Sequence, residues 1–89
     1  MNILVVGGGG REHAIIAALA KSPKVDKIYA APGNGGISAL AECHPVKATD
    51  IDGMVELAKK LQPDYVFVAP DDPLVLGMVD KLNENGFRT

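Results

Sequence analysis

The sequence predicts an α/β domain built on a doubly wound parallel sheet, and three observations predict it. Ile3-Leu4-Val5-Val6 and Tyr65-Val66-Phe67-Val68-Ala69 are unbroken apolar, β-prone runs, the pattern of strands covered by helices on both faces. Segments with apolar residues at helical spacing alternate with such runs across short breaks, which is the order of strand–helix–strand units. Four consecutive glycines, Gly7 to Gly10, stand where the first strand gives way to the first helix, the place where such folds turn their backbone toward a ligand.

The first strand, Ile3 to Val6, ends in those glycines. Glu12 to Lys21 reads as the first helix, alanine-rich, with Ile15, Ala18 and Leu19 at helical spacing and Pro23 just past its end. Val25 to Ala30 carries the β-branched and aromatic residues of a second strand, and Pro32-Gly33-Asn34-Gly35-Gly36 then breaks it into a loop expected to be mobile. Cys43 to Val46 is a brief third strand, confined to a sheet edge because Pro45 has no amide to donate.

Thr49 with Asp52 three residues later reads as the start of a second helix. Its Ile51, Met54, Val55, Ala58 and Leu61 form one apolar stripe, and Pro63 ends it. Tyr65 to Ala69 is the fourth strand. Asp72 caps a third helix that opens on Pro73, turns Val75, Met78, Val79 and Leu82 inward and stops at Gly86. Phe87-Arg88-Thr89 begins a fifth strand without the ~5 residues a strand ordinarily needs, so the last strand is read as truncated and the sequence as a piece of a longer chain. Right-handed crossovers between these elements give a Rossmann-like sheet in the order 3-2-1-4-5, one domain over residues 1–89.

Composition narrows the function. Apolar residues make up 47% of the chain and charged residues 22%, too hydrophobic for intrinsic disorder. Nine basic and eleven acidic residues leave a net charge of −2, which offers no positive field for nucleic acid or an anionic membrane surface. The four aromatic residues, Tyr29, Tyr65, Phe67 and Phe87, have no basic cluster among them, so no base-stacking platform is expected. One cysteine, Cys43, builds no disulfide framework, and no charged-then-apolar leader opens the sequence, so a cytoplasmic setting is expected. No apolar run approaches the ~20 residues that cross a bilayer. A small-molecule ligand is the expected partner.

The chemistry concentrates at two turns. Consecutive glycines at a helix amino terminus leave backbone amides uncovered where the dipole favours an anion, so Gly7 to Gly10 predict a phosphate site. A dinucleotide fingerprint would need a third glycine where Glu12 stands, and the second strand ends in Ala30-Ala31 without the acid that grips a ribose hydroxyl. A stand-alone dinucleotide- or nucleotide-binding module is therefore the second reading. No Gly-Lys-Ser/Thr follows the glycines, so no triphosphate loop is present.

Arg11 suits pairing with a phosphate. Glu12 either supports the helix start through the dipole or meets a hydroxyl or amine. His13 is read as a packing or hydrogen-bonding residue. Asp72 is explained as a cap, whereas Asp71, just past the fourth strand at the mouth of the same crevice, is a candidate acceptor for sugar hydroxyls. Cys43-His44 lack the further ligands of a zinc site, and Asp50-Ile51-Asp52-Gly53 lack those of a calcium loop.

Three segments in this order, Gly7-Gly8-Gly9-Gly10-Arg11-Glu12-His13-Ala14, Ala31-Pro32-Gly33-Asn34-Gly35-Gly36 and Ala69-Pro70-Asp71-Asp72-Pro73-Leu74-Val75, resemble the glycinamide ribonucleotide synthetases. The resemblance runs through the whole chain but covers only the first domain of that several-fold longer enzyme. It implies an ATP-grasp ligase of purine biosynthesis that activates the glycine carboxylate as an acyl phosphate. The amine of 5-phosphoribosylamine then attacks, releasing ADP and phosphate.

The resemblance further implies that ATP and its magnesium or manganese are held by ATP-grasp domains outside these residues, so that this domain binds substrate and is not catalytic alone. Carried onto this sequence, Gly9, Gly10 and Arg11 hold the 5-phosphate region, Gly8 belongs to the same substrate-binding turn, and Glu12 and Asp71 approach the ribose. Two positions depart from the usual family pattern: Gly8, where Asn or Ser is frequent, and Ala69-Pro70-Asp71, where Gly-Pro-Glu is frequent.

Overall fold

A computed structural model describes residues 1–68 and 73–89, with the side chains of residues 73–76 left aside. Four parallel strands form one sheet in the order β3-β2-β1-β4, made of β1 (Asn2–Gly7), β2 (Lys27–Pro32), β3 (Glu42–Cys43) and β4 (Tyr65–Val68). Three helices accompany them, α1 (Gly10–Ala20), α2 (Ile51–Leu61) and α3 (Pro73–Glu84), with a 3-10 turn at Ile37–Ala39. At the outer edge of β4 the Val66 amide donates to the Arg88 carbonyl (2.8 Å), so the residues after α3 come alongside β4 where a fifth strand belongs. The expected Rossmann-like order is thus present.

The sheet separates two cores by the alternation of side chains along each strand. Leu4, Val6, Ala31 and Val66 face α2 and α3 and pack with Met54, Val55, Leu57, Ala58, Met78 and Leu82. Ile3, Val5, Ile28 and Ala30 face the other way, onto Ile16 of α1 and Ile37 of the 3-10 turn. α2 forms as its spacing predicts, with Leu57 added to the buried stripe. Its cap is Asp50 rather than Thr49: the Asp50 side chain accepts from the Gly53 amide (3.0 Å), because Asp50 is the residue that meets the third amide of the helix.

α3 ends at Gly86 (φ +87°), with Gly86 N–H donating to Asn83 O (3.0 Å) and Phe87 N–H to Leu82 O (3.0 Å). That pair of bonds is a Schellman end, and Phe87 completes it by packing on the α2–α3 core. Met78 and Leu82 are buried as expected and Val79 is partly buried, while the expected inward Val75 falls outside the described side chains. The cap assigned to Asp72 lies outside the described residues.

Four expectations shift. β2 begins at Lys27 and runs to Pro32, because the Val25 amide is spent on a turn to Ser22 O (3.2 Å) and the ladder starts where Asn2 meets Lys27. β3 stops at Cys43, ahead of Pro45, and the chain bends through a bond from Val46 N–H to His44 O (2.8 Å). α1 starts two residues early and buries Glu12 and Ile16, not Ile15 and Ala18. Tyr65 and Phe67 of β4 are each 37% exposed, because α1 packs over β1 and β2 and leaves that side of β4 uncovered.

Candidate functional site

β1 lies between β2 and β4, and the winding reverses there. The first crossover goes by α1 to β2 on one side, and α2 later brings the chain back to β4 on the other. In the β1–β4 register Val6 pairs with Val68, so the end of β4 at Val68 lies beside the start of the glycine turn. Open α/β sheets take their ligands at such a switch point. Asp71, the candidate from the β4 side, lies outside the described residues.

The glycine turn is built by close approach from two directions. Gly7 has φ +134°, and a Cβ there would stand 2.5 Å from Glu12 Oε1 and 2.6 Å from Glu12 Cγ. A Cβ on Gly8 would stand 2.6 Å from the Gly33 carbonyl oxygen. A side chain at Gly8 would need the Gly33 backbone to give way, whereas at Gly7 both Glu12 and the positive φ stand against one.

Gly9 precedes α1 in extended conformation with no side-chain cap, and the first intrahelical bond runs from His13 N–H to Gly9 O (3.1 Å). The amides of Gly9, Gly10, Arg11 and Glu12 therefore come before the helical ladder, at its positive end. Gly9, Gly10 and Arg11 are exposed, whereas Glu12 is 7% exposed and folds its carboxylate under the turn toward Gly7 and Gly9. The structure thus brings Gly8, Gly9, Gly10, Arg11 and Glu12 together at one mouth, with a cation outside and a carboxylate beneath. His13, half buried, turns its ring toward Gly36.

The loop after β2, expected to be mobile, is tied to this turn. Gly33 N–H donates to Gly7 O (3.1 Å) and Asn34 Nδ2 donates to Gly8 O (2.6 Å), while Asn34 Oδ1 accepts from the Ile37 amide (2.8 Å). Two carbonyls of the glycine turn are committed to the β2 side by these bonds. Asn34 is the site residue that sequence reasoning passed over. Its signal was an Asn three residues before the first apolar residue of a helical turn, a side-chain cap pattern.

Cys43 and His44 hold no cluster together. Cys43 Sγ sits beneath Gly33, and His44 Nε2 bonds Glu42 Oε2 (2.8 Å) with its ring tilted against Tyr29. The His44 hydrogen bond, with Lys27 next in importance, holds the Glu42 carboxyl below its ordinary value.

With this geometry in place, comparison with known proteins is decisive for the family. The profile described as Phosphoribosylglycinamide synthetase, N domain, matches residues 1–89. The chain belongs to this family. Among the relatives of this synthetase N domain is a phosphoribosylamine–glycine ligase of Caldanaerobacter subterraneus subsp. tengcongensis, 48% identical over 88 residues, covering 99% of this chain and 21% of that protein. The ligase of Caulobacter vibrioides is 51% identical over 82 residues, 92% of this chain and 19% of that protein. The ligase of Halalkalibacterium halodurans is 46% identical over 88 residues, 99% and 21%. The synthetase N domain described here therefore spans about a fifth of the length of these relatives. No helix among its described residues is long and apolar enough to cross a membrane.

Proposed function

We propose that this domain is the amino-terminal part of a cytoplasmic ligase that joins glycine to 5-phosphoribosylamine with ATP in purine biosynthesis, and that it forms one wall of the phosphoribosylamine site. The observation that carries this reading is the exposed start of α1 at the switch point of the sheet, with Gly9, Gly10 and Arg11 open to solvent. In this reading the amides of Gly9 to Glu12 and the Arg11 guanidinium hold the 5-phosphate, as helix amino termini and Arg do. Gly8 lets the backbone lie flat against the β2 loop, and Glu12 and Asp71 accept from ribose hydroxyls or the amine.

ATP and its magnesium or manganese belong to the ATP-grasp domains that follow. The chemistry they supply there is activation of the glycine carboxylate. The donor set here does not suit them: no Gly-Lys-Ser/Thr follows the glycines, and no group of three metal-binding side chains occurs among the described residues. The isolated domain is accordingly expected to bind substrate without turning it over, and to bind neither nucleic acid nor membrane.

The test is kinetic. In the full-length ligase, Arg11→Ala and Asp71→Asn are expected to raise KM for phosphoribosylamine at least about tenfold, the loss of one charge-assisted contact, with KM for glycine and ATP unchanged. An unchanged KM for phosphoribosylamine in both variants would overturn the substrate-site reading and leave the domain a structural one.

A further inference from the structure

Two carbonyls of the glycine turn are held from the β2 side, Gly7 O by the Gly33 amide (3.1 Å) and Gly8 O by Asn34 Nδ2 (2.6 Å). A peptide unit is planar and trans, so its N–H points opposite to its C=O. Holding Gly7 O and Gly8 O toward the β2 loop therefore turns the N–H groups of Gly8 and Gly9 away from it. Neither of these amides donates to a described residue. Without such ties the two peptide units would be free to rotate, because no Cβ restricts a run of glycines.

Asn34 does two separable things. Its Oδ1 accepts from the Ile37 amide (2.8 Å), and its main-chain carbonyl accepts from the Ser38 amide (2.9 Å), so it opens the 3-10 turn. Serine or aspartate would cap that turn as well. The asparagine amide adds a donor on a second atom, and that donor is spent on Gly8 O. Ile37 offers a hydrogen and Gly8 a lone pair, so the side-chain amide fits in one orientation only. Beneath it the loop has no slack: Gly33 has φ +71°, and a Cβ there would stand 2.4 Å from Cys43 Sγ. The loop is thus an arm braced on β3 and on the 3-10 turn, and its side-chain tip holds the Gly8–Gly9 peptide unit.

We infer that Asn34 is a positioning residue for the substrate phosphate. By fixing the Gly8 carbonyl it presents the Gly9 N–H, at the positive end of α1, to a phosphate oxygen, acting through Gly8 rather than on the ligand. This rests on the proposal that the phosphate of phosphoribosylamine sits at the start of α1. Once the Gly8–Gly9 unit is released, only the fraction of molecules with that amide correctly turned is competent, and apparent affinity falls by that fraction. The phosphate is remote from the amine that reacts and is held alike in ground and transition states, so the loss belongs in KM and not in kcat.

The experiment uses the full-length ligase with Asn34→Ser, which keeps an oxygen for the Ile37 amide, changes no charge and removes the donor to Gly8. Asn34→Ala, beside it, removes both contacts. The two variants are expected to raise KM for phosphoribosylamine by the same factor, about three- to tenfold, the worth of one hydrogen bond. kcat and the KM values for glycine and ATP should stay unchanged, and Asn34→Ala, which also loses the cap, should have the lower Tm. A KM that rises only in Asn34→Ala, in step with its Tm, overturns the inference and leaves Asn34 a cap. So does a joint rise in KM for all three substrates or a fall in kcat, the mark of a general disturbance. Arg11→Ala, assayed in parallel, separates the two readings. If it raises KM for phosphoribosylamine and Asn34→Ser does not, the inference fails alone; if neither does, the proposed site fails with it.

Discussion

Helices α1 and α2 have the same length, eleven residues each, and obey different rules. α2 starts on an aspartate that caps it, places Met54, Val55, Leu57 and Ala58 against the sheet, carries Lys59 and Lys60 in its last turn and ends in a left-handed residue before a proline. Each of those features is a local device for stability. α1 starts on a glycine with no side-chain cap, buries Ile16 as its one fully enclosed apolar residue and turns the carboxylate of Glu12 inward. Local rules that agree throughout one element and fail at the start of another mark the second as the place where something other than stability is being served. The failure sits at the glycine turn, the place to which the proposed function assigns the substrate phosphate.

The sharpest break in this comparison comes from Gly7→Ala. The added Cβ meets Glu12 and φ is +134°, so a loss of about 1–3 kcal/mol in chemical denaturation is expected from backbone strain and crowding. Adding Glu12→Ala should recover only part, because the backbone term remains. Full recovery would show that the conformation of Gly7 costs alanine nothing and that crowding alone requires the glycine.

A smaller effect separates the two helix starts directly. Asp50→Ala is expected to cost about 1 kcal/mol, the ordinary value of a lost cap. Gly9→Ser would ordinarily gain a few tenths of a kcal/mol, since serine caps better than glycine, but its Cβ would stand 3.0 Å from Glu12 Oε2. No gain is expected in thermal denaturation, and a clear one would mean that α1 starts by the same rules as α2.

The smallest effect lies on β3 and calibrates the electrostatics. The Glu42 carboxyl should titrate below its ordinary value of 4.5, chiefly because His44 donates to it, and His44→Ala should move it back up in an NMR titration. A depressed carboxyl pKa favours the folded state above the unfolded value, and that contribution is lost as pH falls through the folded one. The loss therefore belongs below pH 4.5.

Much of this was legible from residue order. Unbroken runs such as Ile3 to Val6 define buried strands because a parallel sheet covers both faces, and the stripe of α2 admits one orientation. α1 was less legible: its alanine-rich sequence offers several similar faces, so Ile15, Ala18 and Leu19 scored as well as the Glu12–Ile16 face that the glycine turn selects. The exposure of Tyr65 and Phe67 has no local signal, since it depends on which strands α1 happens to cover. The tether through Asn34 was hidden for a related reason, because its partner, the Gly8 carbonyl, is distant in sequence and is brought near only by the β1–β2 pairing. Of the crevice residues, the β1 side was readable from the glycines, whereas Asp71 falls outside the described residues.

The most direct measurement is an NMR titration of the 89-residue chain with ribose 5-phosphate, run beside NADH and AMP. The account predicts saturable shifts of the Gly8 to Glu12 amides that ribose 5-phosphate produces at lower concentration than either nucleotide, with the α2 amides still. Amides of Gly8 to Glu12 that do not move at millimolar ribose 5-phosphate, or that answer more strongly to NADH or AMP, would contradict it.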